Sequence, residues 1–209
     1  MKLADLTIID FLSKTAGSDP VPGGGSISAL NGAIAAALAE MVAGLTVGRK
    51  KYEEHEETMK AVAASTDLYR EGFIRDIDAD AEAYEKVFNA FKLPKETDDE
   101  KAERSRQIQK ATKIAAEVPL EVARKAFAMM ELIEAVAEKG NQNAVTDACV
   151  AMMSARTAVL GAILNVRINL TSLKDEAYVA RLKAEVDRME KEASAKEQNL
   201  LRKVNEQLQ

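Results

Sequence analysis

Apolar residues return along this chain every three or four positions, and no segment shows convincing strand alternation. Over about Thr58 to Phe91, the residues Phe73, Ile77, Ala81, Tyr84, Val87, Phe88 and Phe91 share one arc at roughly 100° per residue. From about Asp175 to the C-terminus, Leu182, Val186, Met189, Ala193, Leu200 and Val204 keep the same spacing. Thr7 is placed to cap a short first helix that Gly17 stops after Ala16. Beyond the loop Ser18 to Gly25, Ser26 is placed to cap a second helix ending near Gly48. Thr97-Asp98-Asp99-Glu100 is a capping-box pattern for a fourth helix, expected to kink or break at Pro119 and to end at Gly140. A fifth spans about Asn143 to Leu170, and apolar residues lie nearly all round it, as on a helix buried in a bundle. These elements predict one all-α domain over residues 1–209, a helical bundle of long antiparallel helices around a central buried helix.

Composition agrees with that picture and narrows the class. The 209 residues are 47% apolar and 30% charged but only 4% aromatic, with no Trp, which suits closely packed helices. A net charge of −5 argues against broad nucleic-acid binding, which needs a basic face. Cys149 is the only cysteine, so no intrachain disulfide can form and a cytoplasmic location is expected. His55, the only histidine, lies in the charged run Glu53 to Glu57 and reads as a surface residue, so no His/Cys metal site is expected. The start has no signal-peptide pattern. Ala29 to Val47 is nearly all apolar, yet Asn31 and Glu40 interrupt it, and it reads as a buried helix rather than a membrane span.

Against this background a few polar residues stand out. Asp80 falls inside the apolar arc of the third helix, whereas Asp78 and Glu82 project away from it. A carboxylate so directed is either paired in the core or carries a raised pKa suited to proton transfer. The second helix has a bulky stripe (Leu30, Ile34, Leu38, Met41, Leu45) opposite a small one (Ala29, Gly32, Ala33, Ala36, Ala43, Gly44) that contains Glu40. Glu40 needs a basic or hydroxyl partner if it is buried. Gly23, Gly24, Gly25 and Ser26 lead into a helix N-terminus, where free N–H groups can meet an anion or a heterocycle edge. On the fifth helix, Asn143, Asp147, Ser154, Gly161 and Asn165 form a polar or small stripe with Asn169 at its edge. Asn143 and Asp147 serve equally well as first-turn groups of that helix. Lys50, Lys51, Lys92 and Lys95 are either solvated or attract an anionic tail.

Several segments together resemble the cyclodeaminase/cyclohydrolase family, which comprises the C-terminal part of formiminotransferase-cyclodeaminase and stand-alone bacterial relatives. They are Pro22 to Ala29, Leu45 to Tyr52, Asp80 to Tyr84, Leu93-Pro94-Lys95, Gly140 to Asp147 and Asn165 to Leu170. Arg49, Tyr84 and Thr146 stand where that family usually has Lys, Phe and Ser. The resemblance implies a homodimer that binds a tetrahydrofolate derivative near the subunit interface, with Asp80 as the leading catalytic residue and Asp147 as a second. It needs no cofactor beyond the folate substrate. A separate formiminotransferase is a further partner it suggests. The residues so implied in folate binding are Gly23 to Ser26, Lys50, Lys51, Asn143, Thr146, Asn165 and Asn169. Formimidoyltetrahydrofolate cyclodeaminase chemistry stands first, with methenyltetrahydrofolate cyclohydrolase chemistry close behind. A non-catalytic helical dimer or folate-binding module is the competitor.

Overall fold

The side chain of Thr7 accepts a hydrogen bond from Asp10 N and caps the first helix, α1 (Ile8–Thr15). A computed structural model describes residues 2–209 as helices and short connections. Five longer helices follow: α2 (Gly24–Thr46), α3 (Glu56–Phe91), α4 (Asp98–Lys139), α5 (Val145–Leu170) and α6 (Glu176–Gln207). No strand occurs among the described residues. The capping box expected at Thr97 forms in full, with Glu100 returning to the Thr97 amide. Two boundaries differ from expectation. Helix α2 starts at Gly24 with Gly23 as its N-cap, so Ser26 lies inside it and caps nothing. Helix α4 continues through Pro119 without a break.

Interhelical contacts fix the directions. Ser26 meets Ile77 and Asp80, and Glu40 meets Arg70, so α2 and α3 are antiparallel. Asp76 pairs with Lys125 across α3 and α4. Asn141 N donates to Thr46 Oγ1 at 2.8 Å near the far end of α2, while Gly24 lies beside Asn165. Helices α2 and α5 therefore run antiparallel along their whole length. Helices α4 and α6 run parallel, tied by Lys113–Asp175, Arg124–Glu185, Lys196–Glu134 and Lys203–Glu138.

The two faces of α2 have unequal fates. Its small residues face the bundle: Ala29, Ala36 and Ala43 are fully buried. A Cβ on Gly32 would lie 2.7 Å from the ring of Phe73, so only glycine lets α3 approach this closely. Glu40 on the same side finds Arg70 Nε at 2.9 Å, the basic partner it needed. The bulky stripe points outward, with Ile34, Met41 and Leu45 exposed. Beside it, α5 packs against α2, α4 and α6 but leaves Val150, Met153, Leu164 and Ile168 exposed. Both helices are long and apolar enough to cross a membrane, yet half of each such stretch is buried inside the bundle.

Candidate active site at the first turn of the second helix

Asp80 lies in the middle of α3 opposite the start of α2, where the chain has only glycine and serine to place against it. Its Oδ2 accepts from Ser26 N–H at 2.9 Å and lies 3.3 Å from Ser26 Oγ. The Ser26 hydroxyl also reaches the Ile77 carbonyl, at 2.9 Å. No Lys or Arg among the described residues pairs with Asp80, so the core ion pair allowed by the sequence is not formed here. Burial pushes its carboxyl above the usual carboxylate range, and the two Ser26 hydrogen bonds work in the opposite direction. The neighbouring carboxylates are engaged elsewhere: Asp76 with Lys125, and Asp78 with the amide of Leu3 at 2.6 Å.

Asp80 opens into a cleft of about 320 Å³ between the N-terminus of α2, the middle of α3 and the last turns of α5. Gly23, Gly24 and Gly25 form one wall, Tyr84 and Val87 a second, and Asn165, Asn169 and Ala115 a third. Gly24 and Gly25 are the first residues of α2, so their N–H groups have no acceptor within the helix. Both asparagine amides are tied back to carbonyls: Asn165 Nδ2 to Gly161 O at 2.8 Å, and Asn169 Nδ2 to Asn165 O at 2.8 Å and Ala115 O at 2.9 Å. The cleft thus combines a protonatable carboxyl, backbone donors, amide acceptors and a half-exposed aromatic ring. A larger hollow of about 540 Å³ between α3 and α4, lined by Lys86, Glu103, Lys110 and Ile114, does not include Asp80.

Of the residues singled out from the sequence, Gly23, Gly24, Gly25, Ser26, Asp80, Asn165 and Asn169 come together here. Lys50, Lys51, Asn143, Thr146 and Asp147 do not join them within one chain. They lie on the segments just after α2 and at the start of α5, which Gln142 N joins by donating to Tyr52 Oη at 3.1 Å. The 23 residues of α2 separate the two groups by about 35 Å at 1.5 Å per residue. Asp147 is half-buried there and makes no ion pair among the described residues. Among those residues no cluster of three or more His, Cys, Asp or Glu side chains is arranged to hold a metal ion. The part of Ala115 in the cleft wall was not foreseen, although Pro119 four residues later marks its carbonyl as lacking a helical donor.

A half-buried carboxyl with no basic partner among the described residues, facing a polar cleft, is suited to proton transfer on a small molecule, and comparisons with known proteins give the class. The formiminotransferase-cyclodeaminase model matches residues 7–188, and the chain belongs to this family. It is 43% identical over 189 residues to a methenyltetrahydrofolate cyclohydrolase of Methylorubrum extorquens, covering 90% of this chain and 91% of that one. It is 30% identical to the formimidoyltransferase-cyclodeaminase of Rattus norvegicus, where the match covers 91% of this chain and 35% of the longer protein. Among solved structures it resembles the formiminotetrahydrofolate cyclodeaminase of Thermotoga maritima, with a TM-score of 0.82, 29% identity and coverage of 98% and 96% of the two chains. The chain is accordingly an enzyme of folate one-carbon metabolism, of the cyclodeaminase/cyclohydrolase type.

Proposed function

We propose that this enzyme opens the methenyl bridge of 5,10-methenyltetrahydrofolate, with Asp80 as the proton carrier. The carrying observation is the Asp80 carboxyl: one oxygen is held by Ser26, no cation among the described residues neutralises it, and it faces the cleft. In this reaction a water oxygen attacks the methenyl carbon while Asp80 takes the proton. The carbon–N5 bond then breaks as the remaining hydroxyl proton is released to water and the formyl C=O forms, N5 receives the proton from Asp80, and 10-formyltetrahydrofolate remains. A carboxyl whose pKa burial has raised takes up and returns a proton more readily than an ordinary one. The free N–H groups of Gly24 and Gly25 are suited to developing negative charge on the attacking oxygen.

The cyclohydrolase reading takes precedence over the cyclodeaminase one because the 43% identical relative bearing that name matches over nearly its full length. The Thermotoga maritima structure supports the second reading. There folate N10 attacks the formimidoyl carbon, Asp80 accepts the N10 proton, and the nitrogen that leaves as ammonia receives it. Assays of the purified protein with each folate, following methenyl absorbance and ammonia release, decide between them. No turnover of either substrate by folded protein overturns the enzyme reading and leaves a folate-binding module.

The working form in this proposal is a homodimer paired through the outer face of α2 and α5. Seven large apolar side chains there are 40–66% exposed. Together they expose on the order of 600–700 Å², against roughly 800 Å² buried per partner in a standard interface. Antiparallel pairing about a two-fold axis sets the Asp80 end of one chain beside the Lys50 and Asp147 end of its partner. Lysines that lie about 35 Å from Asp80 in their own chain are then available to the glutamate tail of a folate bound next door.

A further inference from the structure

Pro119 stands in the interior of α4, where a proline removes one helical hydrogen bond. The acceptor that loses its donor is the carbonyl of Ala115, four residues earlier. Ala115 is buried in the cleft wall, and a buried carbonyl without a donor is costly. Its donor comes from another helix: Asn169 Nδ2 on α5 supplies one proton to Ala115 O at 2.9 Å and the other to Asn165 O at 2.8 Å. With both amide protons engaged the carboxamide has one orientation, and Oδ1 is the polar atom that Asn169 has left for the cleft it lines.

We propose that Pro119 is a positioning residue. By leaving the Ala115 carbonyl without an in-helix donor, it locks Asn169 so that its amide oxygen serves the ligand as an acceptor. An acceptor fixed in this way selects a ligand edge that carries N–H groups. The choice of ligand rests on the folate reading above, which makes that edge the N–H side of the reduced pterin. Pro119 does not touch the ligand and acts through Asn169 alone.

The opposing expectation is a proline that serves the fold. Alanine is far more favourable than proline inside a helix, so Pro119→Ala gives the chain a better helix former and supplies an amide that competes for the Ala115 carbonyl. The expected result is an unchanged or higher Tm together with a Kd for 5-formyltetrahydrofolate weakened about 3- to 10-fold, the worth of one neutral hydrogen bond. At saturating substrate kcat stays within about 2-fold. Asn169→Ala weakens binding to a similar degree, and Pro119→Ala adds nothing on that background. Wild-type binding by Pro119→Ala, additive effects of the two substitutions, or a Tm lowered by several degrees each overturn the assignment. In the unliganded protein, the Asn169 side-chain amide is expected to exchange slowly by NMR, because both its protons are engaged, and to exchange faster in Pro119→Ala. Unchanged exchange refutes the link whatever the ligand, whereas failure of the wild type to bind the folate probe refutes the folate reading alone.

Discussion

Gly25 lacks a side chain where Oδ1 of Asp80 needs the room: a Cβ on Gly25 would overlap that oxygen. Gly25→Ala therefore displaces the carboxylate from the Ser26 amide. Alanine is the better helix former, but the overlap with the whole carboxyl group and the loss of its Ser26 hydrogen bonds outweigh that, so Tm is expected to fall by a few degrees. Misplacing a reacting group by about 1 Å costs on the order of 10²-fold in rate. Parallel melting curves and kcat measurements check this, and a variant of full activity removes the steric account.

Asp80→Asn separates chemistry from stability. The folded pKa of Asp80 is raised, so the folded chain holds this proton more tightly than the unfolded one. Ionising Asp80 therefore subtracts stability as pH rises through the unfolded value of about 3.9 and on through the higher folded value. The asparagine variant is expected to melt above wild type at pH 7, with the difference closing at the acid end of that window. Its turnover falls by about 10²–10⁴-fold while folate binding is retained. Melting across pH 3–7, paired with a binding isotherm, tests both halves.

Leu164 and Met41 are 64% and 41% exposed on the outer faces of α5 and α2. Substituting Leu164→Arg with Met41→Glu costs the isolated chain little, within about 0.5 kcal/mol per exposed site. Sedimentation is expected to show a dimer for wild type and a monomer for the double variant. Mixing Asp80→Asn with Lys50→Ala/Lys51→Ala chains then restores part of the activity that each loses alone, because one of the hybrid's two composite sites keeps both Asp80 and the lysines. A monomeric, active wild type defeats this assembly.

Arg156 Nε donates to Glu197 Oε2 at 2.9 Å, and Glu197 is among the few charged residues buried in the bundle. Removing the cation alone leaves a buried carboxylate unpaired. Arg156→Ala is expected to lower stability by about 2–4 kcal/mol in urea unfolding, and Arg156→Leu with Glu197→Leu to recover most of it. Equal losses in both variants point to packing rather than charge.

Helix boundaries were legible because their causes are local. Thr7, Thr97 and Asp175 each accept from an amide three residues ahead, and that relation can be read along the chain. Direction was less legible: period shows which residues share a face but not which face turns inward. The bulky stripe of α2 points out and its alanines point in, because close approach of α3 and α5 is what holds the helix. Asp80 was visible as a charge within an apolar arc. Its partner Ser26 lies 54 positions away and was first read as a cap. That Lys50 and Gly23 lie at opposite ends of one helix was readable from its length alone. Proximity of Asn169 to Ala115 was not, since it depends on how α4 and α5 cross.

Ser26 Oγ has a single proton and two acceptors within reach, the Ile77 carbonyl and the Asp80 carboxyl. When Asp80 is ionised, the hydroxyl can turn toward it. When Asp80 carries a proton, the hydroxyl can give its own to Ile77 and receive the acid's on a lone pair. Rotation of one O–H bond thus accommodates both charge states, and no heavy atom has to move between them. The scaffold around the carboxyl is in this sense indifferent to its cargo, and a proton can be loaded and unloaded with little structural reorganisation.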